Sequence, residues 1–214
     1  MEANIMRRTS RYHILEQLEK QDNLRVVDLG CGTSGSCPSA DVLVDRADWS
    51  EKFPDKEFVV HDLNNLPLPF ADEEFDFSFC SHILEHVDDP VKFLSEVTRI
   101  SKSGYIEVPS PIIDNLVSGN DVHDPFGHKW WCFFNDVENR LVLRPRRHIV
   151  QTTVSIPELN MLYPFFRPSF VLEIYWENEI DDMAIEMGDE VYFYEDKMYD
   201  LSTANVTPWR MGQS

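Results

Sequence analysis

The chain has 214 residues, of which 43% are hydrophobic, 27% charged and 12% aromatic, a globular balance that excludes general disorder and fits one domain with a sizeable core. No apolar run approaches the ~20 residues of a membrane span, and residues 1–20 lack the apolar centre of a signal peptide, so a cytoplasmic location is expected. Nineteen basic against 38 acidic side chains give a net charge of −19, which repels phosphate backbones and disfavours nucleic acid as a partner.

Ile5, Tyr12, Leu15 and Leu18 fall near one stripe between charges, which predicts an amphipathic helix from Ile5 to Lys20. Arg25 to Leu29 is a short apolar run that ends in Gly30-Cys31-Gly32, a buried strand leading into a glycine turn. Val42 to Asp45 and Phe58 to Asp62 read as strands, each ending in an acid, and Phe75 to Cys80 as a fourth. Asp89-Pro90 opens a helix whose inward side carries Val91, Phe93, Leu94, Val97 and Ile100. Gly104 is expected to end that helix, and Tyr105 to Val108 forms a fifth strand stopped by Pro109. Beyond it, Trp130–Phe134, Arg140–Leu143, Phe170–Trp176 and Met183–Met187 read as strands without long helices between them, with Asn178 in a turn before the last.

Alternating short strands and helices imply an α/β chain with a Rossmann-like, mostly parallel, doubly wound sheet, closed by an antiparallel C-terminal hairpin. No repeat or linker divides residues 1–214. One domain is expected, with a core over 24–110 and an acceptor-side segment with the C-terminal strands over 111–214. Cys31, Cys37, Cys80 and Cys132 form no CxxC pair and read as reduced thiols. Arg140, Arg144, Arg146 and Arg147 make a small basic cluster, whose ordinary role is to solvate a strand or pair with nearby acids.

Ligands of open parallel sheets bind at the carboxyl ends of the strands, where the chain order reverses. Those ends carry Gly30 and Gly32, Asp45, Asp62, and Cys80-Ser81-His82. Each suits part of an adenosyl ligand: glycines admit close backbone approach, one acid can accept from both ribose hydroxyls, and the next can accept from the adenine amino group. Residues 30–35 also spell GxGxxG, which alone would equally suggest a dinucleotide site. Cys37-Pro38 follows at once where a dinucleotide fold needs a long helix, and Asp45 comes sooner than the ~20 residues expected of its ribose acid.

Val26-Val27-Asp28-Leu29-Gly30-Cys31-Gly32, the segment from His61-Asp62-Leu63 to Phe75-Asp76, and Ser81 to Pro90 together resemble class I S-adenosylmethionine-dependent methyltransferases of the type 11 kind, over about residues 24–110. The resemblance implies S-adenosyl-L-methionine as cofactor. Asp28 and Gly30 would then lie at its methionine end, Asp45 at the ribose, Asp62 and the Leu63 N–H at adenine, and the Cys80 backbone at the amino group, with Gly32 a further cofactor-binding residue of the glycine turn. The chain departs from most members in having only about ten residues, too few for a full helix, between Gly32 and Val42.

Methyl transfer needs alignment and often a base for the acceptor's proton. His86 and His128 are the chosen catalytic candidates, among His82, Glu85 and His123. His82-x-x-Glu85-His86 with His128 also resembles the metal arrangement of small-RNA 2′-O-methyltransferases, although His82 stands where a carboxylate is expected; no metal is assigned from sequence. Residues Asp114 to Phe134, with Gly119 and Gly127 as hinges and aromatic residues at 130, 131, 133 and 134, are expected to wall or cover the acceptor site. The expected function is methyl transfer to a small-molecule or saccharide acceptor. The alternatives are a non-catalytic adenosyl-binding scaffold and a metal-assisted RNA 2′-O-methyltransferase. Sequence leaves the oligomeric state open.

Overall fold

The computed structural model describes residues 4–113, 127–146, 161–180 and 185–187. Calls on Asp114, Gly119, His123, Arg147 and Met183 lie outside the described residues.

The N-terminal stretch divides into β1 (Ile5–Arg8) and α1 (Arg11–Glu19), which corrects the single helix expected there. The four residues of β1 pair antiparallel with β9 (Val171–Glu177), so tertiary hydrogen bonding overrides the weak helical stripe. Ile14 and Leu18, one turn apart, are the buried side chains of α1, while Tyr12 is 74% exposed.

The remaining strands of the large sheet are β2 (Val26–Leu29), β3 (Val42–Asp45), β4 (Glu57–Val60), β5 (Phe77–Ser81) and β6 (Ser103–Pro109). Their order is β1-β9-β6-β5-β2-β3-β4. Strands β6-β5-β2-β3-β4 are parallel, and β9 adds antiparallel to β6. The sheet is therefore Rossmann-like and mostly parallel. No helix connects β2 to β3, as the short spacing implied, and a single 3-10 turn, Ser50–Lys52, lies between β3 and β4.

Helix α2 (Pro90–Ile100) follows β5. Asp89 caps it, its carboxylate accepting from the Lys92 N–H at 3.1 Å, and Pro90 occupies the first turn where no N–H is needed. Such a cap contributes about 1 kcal/mol. Phe93, Leu94, Val97 and Ile100 recur at helical spacing and are buried. The helix ends at Ser101, and Gly104 belongs to β6 instead of terminating α2. The reason is close packing: a Cβ at Gly104 would lie 2.4 Å from Ser78 Oγ, 2.6 Å from Trp176 Nε1 and 2.7 Å from the Ser78 carbonyl oxygen.

A second sheet of three strands has the order β10-β8-β7, from β7 (Trp130–Asn135), β8 (Arg140–Pro145) and β10 (Ile185–Met187). The antiparallel hairpin is β7–β8; β10 pairs parallel with β8. The two strands read as a final hairpin around Asn178 therefore enter different sheets, and the edge beyond β9 is closed by β1. Helix α3 (Tyr163–Phe170), unexpected because of its Pro164 and Pro168, precedes β9 with non-helical backbone at Phe166.

Strand alternation sorts the core into two faces. Val27, Leu29, Val42, Val44, Ile106, Val108, Leu172 and Ile174 join the α2 side chains and Cys132, Leu141 and Leu143 of the small sheet in one cluster. Val26, Leu43, Phe77, Phe79 and Tyr105 join Ile14 and Leu18 of α1 in the other. By the same alternation Asp28, Ser81, Glu107 and Glu173 fall on the α1 face, although each is buried. All four cysteines are buried and outside any disulfide. Among the described residues no helix is long and apolar enough to cross a membrane.

Candidate active site

From β2 the chain passes to β3 on one side, while β5 lies on the other, which makes the carboxyl end of β2 the switch point of the sheet. The turn there has Gly30 at φ +78° and Gly32 at φ +59°. A Cβ on Gly30 would stand 2.0 Å from Ile83 Cδ1, so the backbone approaches the β5–α2 loop as only glycine allows.

Carboxylates hold this turn. Asp28 Oδ2 accepts from the N–H groups of Ser36 at 2.6 Å and Cys37 at 2.9 Å, while its Oδ1 is buried without a hydrogen-bond partner. Burial pushes the Asp28 carboxyl up to about 6, against the pull of those two N–H groups. Asp45 Oδ2 accepts from Gly32 N–H at 2.9 Å and Oδ1 from Ala47 N–H at 3.0 Å. Each Asp45 oxygen keeps a second lone pair for another donor. Asp62, exposed past the end of β4, accepts from Asn64 N–H at 3.0 Å.

A cavity of about 600 Å³ opens over these strand ends, within the usual range for small-molecule sites. Gly30, Asp45, Asp62, Leu63, His82 and His86 line it, with Arg46, Asn64, Ile83, Val87, Gly127 and Lys129. Thus five of the nine residues singled out from sequence share one wall. Asp28 and Cys80 lie beneath it, fully or almost fully buried in β2 and β5, and Gly32 is joined to Asp45.

His128 reaches this site through long-range backbone pairing. The Glu85 carbonyl accepts from Lys129 N–H at 2.6 Å and Trp130 N–H at 3.3 Å, and the Trp130 indole donates to the Val87 carbonyl at 2.9 Å. This clamp sets the His128 ring 4.7 Å from that of His86, edge to face.

Sequence reasoning missed a buried ionic lattice beside the cavity. Glu107 of β6 and Glu173 of β9 are cross-strand partners on the α1 face. Two buried carboxylates so placed need cations, and Arg11 and Arg167 supply them. Arg167 donates to Glu107 at 2.7 Å and to Glu173 at 3.2 Å; Arg11 donates to Glu107 at 3.2 Å, to Ser81 Oγ, and to the Ser36 carbonyl in the glycine turn. Tyr105 hydroxyl donates to Glu107 at 2.5 Å. His82, in left-handed backbone at φ +58°, places Nε2 3.2 Å from Glu107 and Nδ1 3.3 Å from Glu85. Burial drives Glu107 upward, but His82, Tyr105 and the two arginines outweigh it and hold the carboxyl at about 2. Burial likewise opposes the His82 charge, but Glu107 and Glu85 raise its pKa to about 9. The available signal was a glutamate inside each of the apolar strands Tyr105–Val108 and Val171–Trp176.

Residues 27–106 match the family model of the methyltransferase domain. A demethylmenaquinone methyltransferase of Paenarthrobacter aurescens is 35% identical over 42% of this chain and 40% of its own length. A sterol 4-C-methyltransferase of Caenorhabditis elegans is 26% identical over 51% of this chain and 36% of its own. The chain thus spans less than half the length of these curated relatives. Among solved structures, an S-adenosylmethionine dependent methyltransferase from Mesorhizobium loti covers 79% of this chain and 98% of its own, at 16% identity and TM-score 0.47. The 1,6-didemethyltoxoflavin-N1-methyltransferase of Burkholderia thailandensis covers 80% and 77%, at 15% identity and TM-score 0.43. The glycine turn, Asp45 and Asp62 lie inside the matched span, whereas His128 lies outside it.

Proposed function

We propose that the chain is an S-adenosylmethionine-dependent methyltransferase acting, as one domain in the cytoplasm, on a small-molecule or saccharide acceptor. The observation that carries this reading is the cavity lined by Gly30, Asp45, Asp62 and Leu63 at the sheet's switch point. The donor fits these residues. Gly30 leaves room for its backbone, the remaining lone pairs of Asp45 suit two ribose hydroxyls, and Asp62 with Leu63 N–H suits the adenine edge. The partnerless Asp28 Oδ1 suits the electrostatics of the donor's ammonium end, near the Gly32 turn and the Cys80 backbone. When bound, the donor supplies a methyl group on a sulfonium.

The protein's part in such a displacement is alignment and proton removal. An acceptor heteroatom taking that methyl group would have to lose its proton to a base held beside it. His86 lines the cavity and His128 stands against it, so these two imidazoles are assigned to the acceptor side, as base or as metal ligands. The net charge of −19 disfavours an RNA acceptor.

Titration calorimetry with S-adenosylmethionine and with NAD, followed by a tritiated-methyl screen of acceptors, tests the proposal. Binding of the first ligand with labelled product is expected. Binding of NAD alone would refute the donor assignment, and donor binding without product across the screen would favour the non-catalytic scaffold.

A further inference from the structure

We propose that Arg11, the first residue of α1, is a positioning residue of the donor site: it ties the glycine turn to β5 and β6 and sets the charge balance around Asp28. The inference rests on the methyl-donor reading for what binds there, and goes beyond it in bringing the N-terminal segment to that site.

No helix links β2 to β3, so the backbone groups of residues 30–41 cannot satisfy one another throughout, as a helix would, and some must find partners elsewhere. Ser36 is held at both ends. Its N–H donates to Asp28 Oδ2 at 2.6 Å, and its carbonyl accepts from Arg11 Nη2. The other arm of the guanidinium, Nη1, donates to Ser81 Oγ of β5 at 3.1 Å and to Glu107 of β6 at 3.2 Å. Its carbon lies 5.1 Å from the centre of the Phe79 ring. Only the planar fork of an arginine spans acceptors so arranged; a lysine would make a point contact. Pairing with Glu107 does not by itself account for Arg11. That carboxylate already accepts from Arg167 at 2.7 Å and from the Tyr105 hydroxyl at 2.5 Å, both closer than Arg11. The Ser36 carbonyl is the shortest contact that the Arg11 side chain makes.

The same guanidinium acts on Asp28. Burial pushes that carboxyl up to about 6, while the Cys37 and Ser36 N–H groups and the Arg11 charge pull it down. Asp45, at the end of β3, opposes its charge. The thiols facing it stay protonated, because burial pushes Cys31 and Cys37 up to about 12 and raises Cys80 as well. Arg11 therefore supplies the cation that favours an ionised Asp28, and only the ionised form attracts the ammonium end of the donor.

The experiment makes two measurements on the full chain, with melting curves to verify folding. The Asp28 carboxyl is titrated by carbon-13 NMR in the free protein, and S-adenosylhomocysteine binding is followed by calorimetry at about pH 6 and about pH 8. In the neutral variants Arg11→Met and Arg11→Gln the Asp28 midpoint should rise from about 6 to about 7 or above. The ionised fraction then falls from about one half to about one tenth at the lower pH and stays near complete at the higher, so the loss of affinity relative to the parent should widen about 5-fold between them. Arg11→Lys should bring the pH profile back toward the parent. Arg167→Met removes a cation from the same lattice without touching Ser36, and should lower Tm while midpoint and profile stay parental. A parental Asp28 midpoint in either folded neutral variant, an affinity loss of equal size at both pH values, or an equal shift in Arg167→Met would overturn the inference. The carboxyl titration needs no ligand, so the two failures are distinguishable: a parent protein that binds no S-adenosylhomocysteine refutes the donor reading, and the role of Arg11 with it.

Discussion

Replacing Asp45 by alanine separates two jobs of one carboxylate. In the free protein it accepts from Gly32 and Ala47 N–H groups at 2.9 and 3.0 Å. Both groups sit at a partly exposed turn, where water can replace the lost acceptor, so the stability cost is about 1 kcal/mol. For a domain of this size that lowers Tm by about 2–4 °C. Toward the donor, the proposed loss is larger, because hydrogen bonds to an ionised group contribute about 1.5–3 kcal/mol. At 1.4 kcal/mol per tenfold, the dissociation constant for S-adenosylhomocysteine should rise roughly 10–150-fold. Calorimetry on variant and parent, with melting curves to verify folding, measures both. A folded Asp45→Ala protein with parental affinity would refute the ribose assignment.

Asp62→Ala should weaken the same ligand while the melting curve stays near parental; an adenine ring placed beyond hydrogen-bond reach of Asp62 and Leu63 in a donor complex would contradict this. His128→Asn should lower turnover at least ~100-fold with donor affinity nearly unchanged, and turnover near the parental rate would reduce His128 to a packing residue. Glu107 is depressed from 4.5 to about 2, so its stabilisation is complete above pH 4.5 and is lost as pH falls through 2, a change of about 3 kcal/mol for this buried group. Denaturant titrations across that window should show the loss, and Glu107→Gln should remove it; an identical acid limb in the variant would exclude Glu107 as its source. His82 has the opposite sign: its stabilisation is present below pH 6.5 and declines as pH rises through about 9, which His82→Asn should abolish in the same titrations.

The sequence by itself determined the local features of the donor side. Strand runs such as Val26–Leu29 and Val42–Asp45 declare themselves by apolar content, the glycine turn by its spacing, and α2 by Asp89-Pro90 and its periodic side chains. These signals are legible because period, cap and turn chemistry act within a few residues. The strand-end rule then carried Gly30, Asp45, Asp62 and Leu63 to a common cavity without knowledge of long-range contacts.

Tertiary structure decided the rest. Ile5–Arg8 became an edge strand because β9 offered it a hydrogen-bonding partner, which no local stripe could announce. The cross-strand pairing of Glu107 with Glu173, and the arrival of Arg11 and Arg167 from opposite ends of the chain, depend on β9 inserting between β6 and β1. His128 met His86 because the backbone at 129–130 bonded to the carbonyl of Glu85. Residues far apart in sequence acquire joint chemistry only after the chain returns, and that return is fixed by sheet pairing and burial, not by the composition of either segment.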